Sequence, residues 1–217
     1  MIRPLLPILL APLLWLSVSA VPVDITPHES YSSTVGVPGC KINTDRVAYW
    51  PLPISCSNIC VRVTYAGRSL HLLRIDRSLG AWDISYDAWN YLVTGQSARD
   101  NPTTGSTVEA DYQDVDPSNC APLIHSTNGG LPLSAANSMD YLRPCLENEP
   151  DSWVAKHFES WNIHNPVCTQ GWDERCTLDL KKSNWSECPN PVGEPRVLST
   201  APVWNVQYGT GEEVLAV

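Results

Sequence analysis

Cysteines dominate the chemistry available to this chain. Cys40, Cys56, Cys60, Cys120, Cys145, Cys168, Cys176 and Cys188 make an even set of eight, which in an oxidising compartment reads as four disulfides with no free thiol. Spacing leaves the pairing open, although Cys56 and Cys60 stand too close together for both to be idle. Cys56-x3-Cys60 could also open a zinc site, but no second Cys or His pair follows at a matching interval. His157 and His164 are seven apart, with no carboxylate or third histidine beside them. Asp111, Asp114 and Asp116 lack the alternation of a calcium loop. No metal and no other cofactor is therefore expected. Acyl-transfer chemistry has no Gly-x-Ser-x-Gly elbow to work from. Asn184-Trp185-Ser186 is a glycosylation sequon and needs an exposed position.

The elements that must position any site are mainly strands. Cys60 to Tyr65 sets Val61, Val63 and Tyr65 against Arg62 and Thr64, the period-two pattern of a half-buried strand. Ala66-Gly67 supplies a turn, and Ser69 to Ile75 returns as the second arm of a hairpin. Val47 to Trp50 is a short strand stopped by Pro51 and Pro53. Val108 to Val115 is a further strand beyond the polar loop 96–107. A helix is expected from Ser85, as N-cap, to Gly95, with Ala88, Trp89, Leu92 and Val93 on its apolar face. A second helix is expected over Ala135 to Leu142 and a third over Asp151 to Trp161. Residues 21–39, rich in Pro, Ser and Thr, read as a flexible N-terminal arm, and the last twenty residues as loosely held.

The stretch from Cys56 to Leu92 resembles the double-psi β-barrel family of barwin, expansin domains, rare lipoprotein A and family 45 endoglucanases. A Cys-x-x-Cys-like pair, a Val-x-Val-Thr hairpin, a strand ending in Asp and a Gly-x-x-Asp-Leu-Ser segment before a helix follow one another in that family. Here they correspond to Cys56 and Cys60, Val61-Arg62-Val63-Thr64, Arg74-Ile75-Asp76 and Gly80-Ala81-Trp82-Asp83-Ile84-Ser85. The resemblance implies a mainly β fold: a six-stranded, mainly antiparallel double-psi barrel over residues 40–145, with short helices. Residues 146–217 then form a helical, disulfide-tied C-terminal extension. It also implies that Asp83 occupies the place of the family's catalytic acid, where Trp82 would wall the carboxyl off from water and favour its protonated form. Trp82, Asp76 and Trp50 become the expected ligand contacts. Two departures weigh against hydrolysis. Ala81 stands where a histidine is often found, and Asp45 is the sole candidate for the second carboxylate that inversion requires. A structural reading instead has Asp83 capping the helix and Asp76 tying down a turn.

Charge and targeting narrow the function classes. Arg3, the apolar run Leu5 to Leu16 and Val18-Ser19-Ala20 have the layout of a secretory signal peptide over residues 1–20, too short and too proline-interrupted for a membrane anchor. Without Arg3 the 14 basic residues become 13 against 23 acidic ones, a net charge of -10. That balance repels polyphosphates, so neither nucleic acid nor membrane is expected as a partner. The remaining 197 residues suffice for one domain with extensions. These features lead to a secreted, non-enzymatic protein of the fungal barwin-like type, an effector or wall-associated factor that recognises carbohydrate or an extracellular host protein. The competing expectation is a glycan hydrolase or lytic transglycosylase with Asp83 as general acid.

Overall fold

The computed structural model describes residues 20–217, so the expected leader lies outside the described residues apart from Ala20. Six strands close into a barrel: β1 (Val21–His28), β2 (Val47–Trp50), β3 (Cys60–Tyr65), β4 (Arg68–Arg77), β5 (Trp82–Ser85) and β6 (Val108–Asp114), in the order β1-β5-β2-β4-β3-β6. The β1–β5 and β2–β4 pairs are parallel and the other four are antiparallel. The fold is thus the mainly antiparallel six-stranded barrel expected from the sequence. The β3–β4 hairpin turns at Ala66 and Gly67, both at positive φ (48° and 77°), the backbone that a two-residue hairpin of matching twist requires.

Residues 21–28 are not a flexible arm. Val23 and Ile25 are buried in the barrel while Asp24 is exposed and Thr26 and His28 are half-buried, so the segment alternates as a strand should. Its two prolines conceal this. Pro22 pairs only with β6, and Pro27 only with β5. Each proline therefore sits where β1 has a neighbour on one side alone, the edge-like position at which a strand tolerates proline.

Two cores result from the alternation. Ile25, Ala48, Trp50, Val61, Val63, Leu72 and Ile84 fill the barrel, closed at one end by helix α1 (Tyr86–Thr94) through Ala88, Trp89 and Leu92. Val47, Tyr49, Leu73 and Ile75 face outward into a second core. The C-terminal half covers them with strands β7 (Leu131–Ser134), β8 (Phe158–Ile163) and β9 (Gly171–Cys176) and helices α2 (Met139–Asn148) and α3 (Trp153–Lys156). This half is a second layer of the structure.

Three sequence expectations fail in the C-terminal half. The second helix begins after Ser138 rather than at Ala135, because Leu131–Ser134 is committed to the sheet. The third is one turn long. Trp153, Val154, His157, Phe158 and Trp161 follow a helical spacing, yet β8 pairs in parallel with β7 from Phe158 onward. Its polar residues are satisfied once buried: the Asn162 amide donates to Glu174 and Ser160 bonds Ser186. The last residues form a hairpin, β10 (Trp204–Val206) with β11 (Glu213–Leu215), seated by Val206 in the barrel core and by Val203 and Ala216 in the second core.

Cys40–Cys168 and Cys56–Cys145 bridge the N-terminal half to the second layer. Cys60–Cys120 pins β3 to the turn at Pro117–Leu123, and Cys176–Cys188 closes a local loop. No cysteine is free.

Candidate functional site

Strand register builds the site. Thr26 of β1 pairs with Asp83 of β5, Asp83 with Tyr49 of β2, and Tyr49 with Asp76 of β4. Four adjacent strands thus set Thr26, Asp83, Tyr49 and Asp76 in one row. The last step depends on a bulge. Ala48 pairs with Arg74 and Tyr49 with Asp76, leaving Ile75 as the extra residue. A bulge of this kind re-aims side chains, and here it lets Ile75 enter the second core while Asp76 stays in register with Tyr49. His28, two residues beyond Thr26, shares its face of β1. Asp83, Tyr49 and Asp76 of this row floor an open groove of about 460 Å³ bounded by His28, Ser32 and the loop Arg77 to Ala81.

The two carboxylates of the groove differ. Asp76 is buried, and both of its oxygens are engaged. Oδ1 accepts the amides of Thr34 and Arg77, each at 2.8 Å, and Oδ2 accepts the Ser32 hydroxyl. It clamps the segment 32–34 against the end of β4. Asp83 is half-buried; Oδ1 accepts the Thr26 hydroxyl, and Oδ2 has no partner among the described residues. Between them, burial holds the Tyr49 phenol above its usual range, so it is a neutral donor. The His28 ring lies 4.6 Å from Tyr49.

The sequence-derived site residues scatter around this groove. Asp83 does not cap α1; it lies within β5, and Ser85 occupies the cap position without a side-chain capping bond, its hydroxyl donating to Thr44 and accepting from Val47. Trp82 points away from Asp83, as consecutive strand residues must. It packs against Trp50 and Tyr112 at 5.0 and 5.4 Å and does not wall the carboxylate. Trp50 is fully buried in the barrel. Asp45 is not across the groove from Asp83. Arg99 holds it through contacts of 2.7 and 3.3 Å, beside a separate cleft. Asn184 is exposed, with the Ser186 of its sequon buried. His28 and Tyr49 escaped the sequence reading. The signal for His28 was there in the alternation of Val23 and Ile25, which puts residues 24, 26 and 28 on one face.

Among the described residues no group of three or more His, Cys, Asp or Glu side chains is placed to hold a metal ion, and no helix is long and apolar enough to cross a membrane.

Set beside known proteins, the chain matches the family model of cerato-platanin over residues 34–122. That stretch contains β2 to β6 and α1 but neither β1 nor the second layer. Solved structures that align with part of the chain include two cerato-platanins. Cerato-platanin 3 from M. perniciosa is 14% identical, covers 46% of this chain and 98% of its own, and has a TM-score of 0.35. The solution structure of the fungal elicitor cerato-platanin is 21% identical, covers 45% and 96%, and has a TM-score of 0.30. No curated protein matches the chain. The family similarity is therefore to cerato-platanin over residues 34–122; of the barwin and expansin resemblance, the structure bears out the closed six-stranded barrel.

Proposed function

We propose that this chain is a secreted, non-catalytic protein whose barrel groove binds neutral carbohydrate. The observation that carries the reading is the unequal state of the two groove carboxylates. Inverting hydrolysis needs one carboxyl to protonate the leaving oxygen and a second to activate water. Asp76 is spent as a clamp: three donors take up its two oxygens, so neither oxygen is left unpartnered to activate a water. Asp83 alone keeps an open acceptor. Together with the His28 ring, it offers the mixture of aromatic and polar contacts that a sugar's hydroxyls and ring faces call for. Four disulfides suit an extracellular setting. The match to cerato-platanin, a fungal secreted family of non-enzymatic type, supports the same class.

The rival is a glycan-cleaving enzyme with Asp83 as general acid, favoured by that same open oxygen. Asp83→Asn decides between them. As an enzyme, the wild type turns over a glycan, and the substitution lowers the rate about a hundredfold to ten-thousandfold. As a binding protein, the wild type shows no turnover on any glycan, and the substitution only weakens binding. Turnover abolished by Asp83→Asn would overturn the proposal.

A further inference from the structure

The groove has a neighbour that the barrel alone does not provide. His28 and Tyr49, which line the groove, also line a narrow cleft whose far wall is Trp204 and Asn205 of the C-terminal hairpin. We propose that Trp204 is a second sugar-stacking platform at the His28 end of the groove, so that the site takes a chain of neutral sugars rather than a single ring. This rests on the carbohydrate reading of the groove.

Exposure is the first argument. Tryptophan is on average one of the more buried residues, yet Trp204 is 45% exposed. Among the described tryptophans only Trp185, beside the sequon, is more open, and it does not line the groove or the cleft.

Rigidity is the second. Trp204 stands next to buried Val203, whose carbonyl accepts the Ala216 amide at 2.9 Å, and it pairs across the hairpin with Leu215. The Asn205 side chain accepts the Tyr31 amide at 2.9 Å, and Glu29 accepts the Tyr208 amide at 2.8 Å. Arg99 bridges Glu213 at 2.8 Å and Asp45 at 2.7 Å, tying the hairpin to the barrel. At Gly211 the contact is close enough that a Cβ would fall 2.1 Å from the Ala98 carbonyl oxygen. An indole held in this way stacks on a ligand with little ordering cost.

Shape and charge set the ligand class. The cleft beneath the hairpin measures about 10 Å³, room for at most one water. No ring enters it, and Trp204 contributes only its outer face. One strand spacing and two residues of rise separate the backbone of Asp83 from that of His28, about 8 Å, and Trp204 lines, with His28, the adjoining cleft rather than the groove that holds Asp83. A ligand touching both ends must therefore exceed one sugar ring. Glu29, Asp76 and Asp83 along the path outnumber Arg77 and disfavour anionic sugars.

Calorimetric titration of neutral β-linked glucose and N-acetylglucosamine oligomers, from dimer to hexamer, tests the assignment on the intact protein. Wild-type affinity should rise with chain length, and Asp83→Asn should weaken every length. Trp204→Ala should leave the dimer unchanged and weaken the hexamer about tenfold, the scale of one lost aromatic stack. Trp204→Phe should restore most of the loss, which separates a stacking role from a merely structural one. A hexamer bound equally by wild type and Trp204→Ala, while Asp83→Asn weakens it, would overturn this inference and leave the groove reading intact. Equal loss for dimer and hexamer in Trp204→Ala would overturn it as well. No binding of any oligomer by the wild type would sink the groove reading and this inference with it.

Discussion

Replacing Asp76 by alanine removes the clamp without touching the open carboxylate beside it, and its cost can be worked from the contacts. The side chain is buried and accepts two amides at 2.8 Å plus the Ser32 hydroxyl. A hydrogen bond to a charged group contributes about 1.5–3 kcal/mol when its loss strands the partner. Here the groove is open, so water re-solvates part of what is stranded, and the sum of three such terms overstates the loss. The expected cost is about 3 kcal/mol. For a chain of this size that lowers the melting temperature by about 6–12 °C. Asp76→Asn should lose only about 1 kcal/mol, since the amide oxygen still accepts both backbone N–H groups. Urea unfolding of the three proteins, followed by tryptophan fluorescence, reads the differences directly. Stability of Asp76→Ala within about 0.5 kcal/mol of wild type would refute the clamp. It would also return Asp76 to the list of available catalytic bases, undoing the argument against hydrolysis.

Three further predictions concern charge and covalent topology. Burial pushes the Asp87 carboxyl up, but the Ser97 hydroxyl, Arg46 and the Ala98 amide outweigh it and hold the group below the usual range. A depressed folded-state value stabilises the fold above the unfolded value of about 4 and loses that contribution as the pH falls through the folded one. Asp87→Asn should therefore cost about 2 kcal/mol at pH 7 and progressively less below about pH 4; a penalty independent of pH in denaturant titrations would contradict the ion pair with Arg46. Thiol titration of the unreduced, denatured chain should find no free cysteine. Paired Cys→Ser replacements should cost about 5 kcal/mol for Cys40–Cys168, which spans 128 residues, against about 3 for Cys176–Cys188, which spans 12. Equal costs would show that loop entropy is not what these bridges supply.

How much of this was legible depended on whether information was local. The β3–β4 hairpin, α1 and its Gly95 cap could be read because turn chemistry and periodicity lie within a few residues of each other. β1 could not, because a strand containing Pro22 and Pro27 is tolerated only where each proline faces an unpaired side, and pairing partners are not written in the segment itself. β8 failed for a related reason. Glu159, Ser160 and Asn162 look solvent-seeking until their partners Arg175, Ser186 and Glu174 are known, and those partners lie on other segments of the chain. The site inherits both problems. Asp83 was found from a local motif, but the residue beside it in sequence, Trp82, turned out to face the other way. Its true neighbours, Thr26 and Tyr49, come from two other strands, and Asp76 joins the row only because a bulge at Ile75 shifts the register by one. A one-residue slip turns a strand's side chains to the opposite face, so no reading of β2 and β4 separately could have brought Tyr49 and Asp76 together. Trp204 is the extreme case. It sits 121 positions from Asp83 in the chain, on a hairpin whose seat is made by Arg99, Asp45 and Glu29. The groove's second end becomes visible only once the barrel has closed and the C-terminal segment has folded back over it.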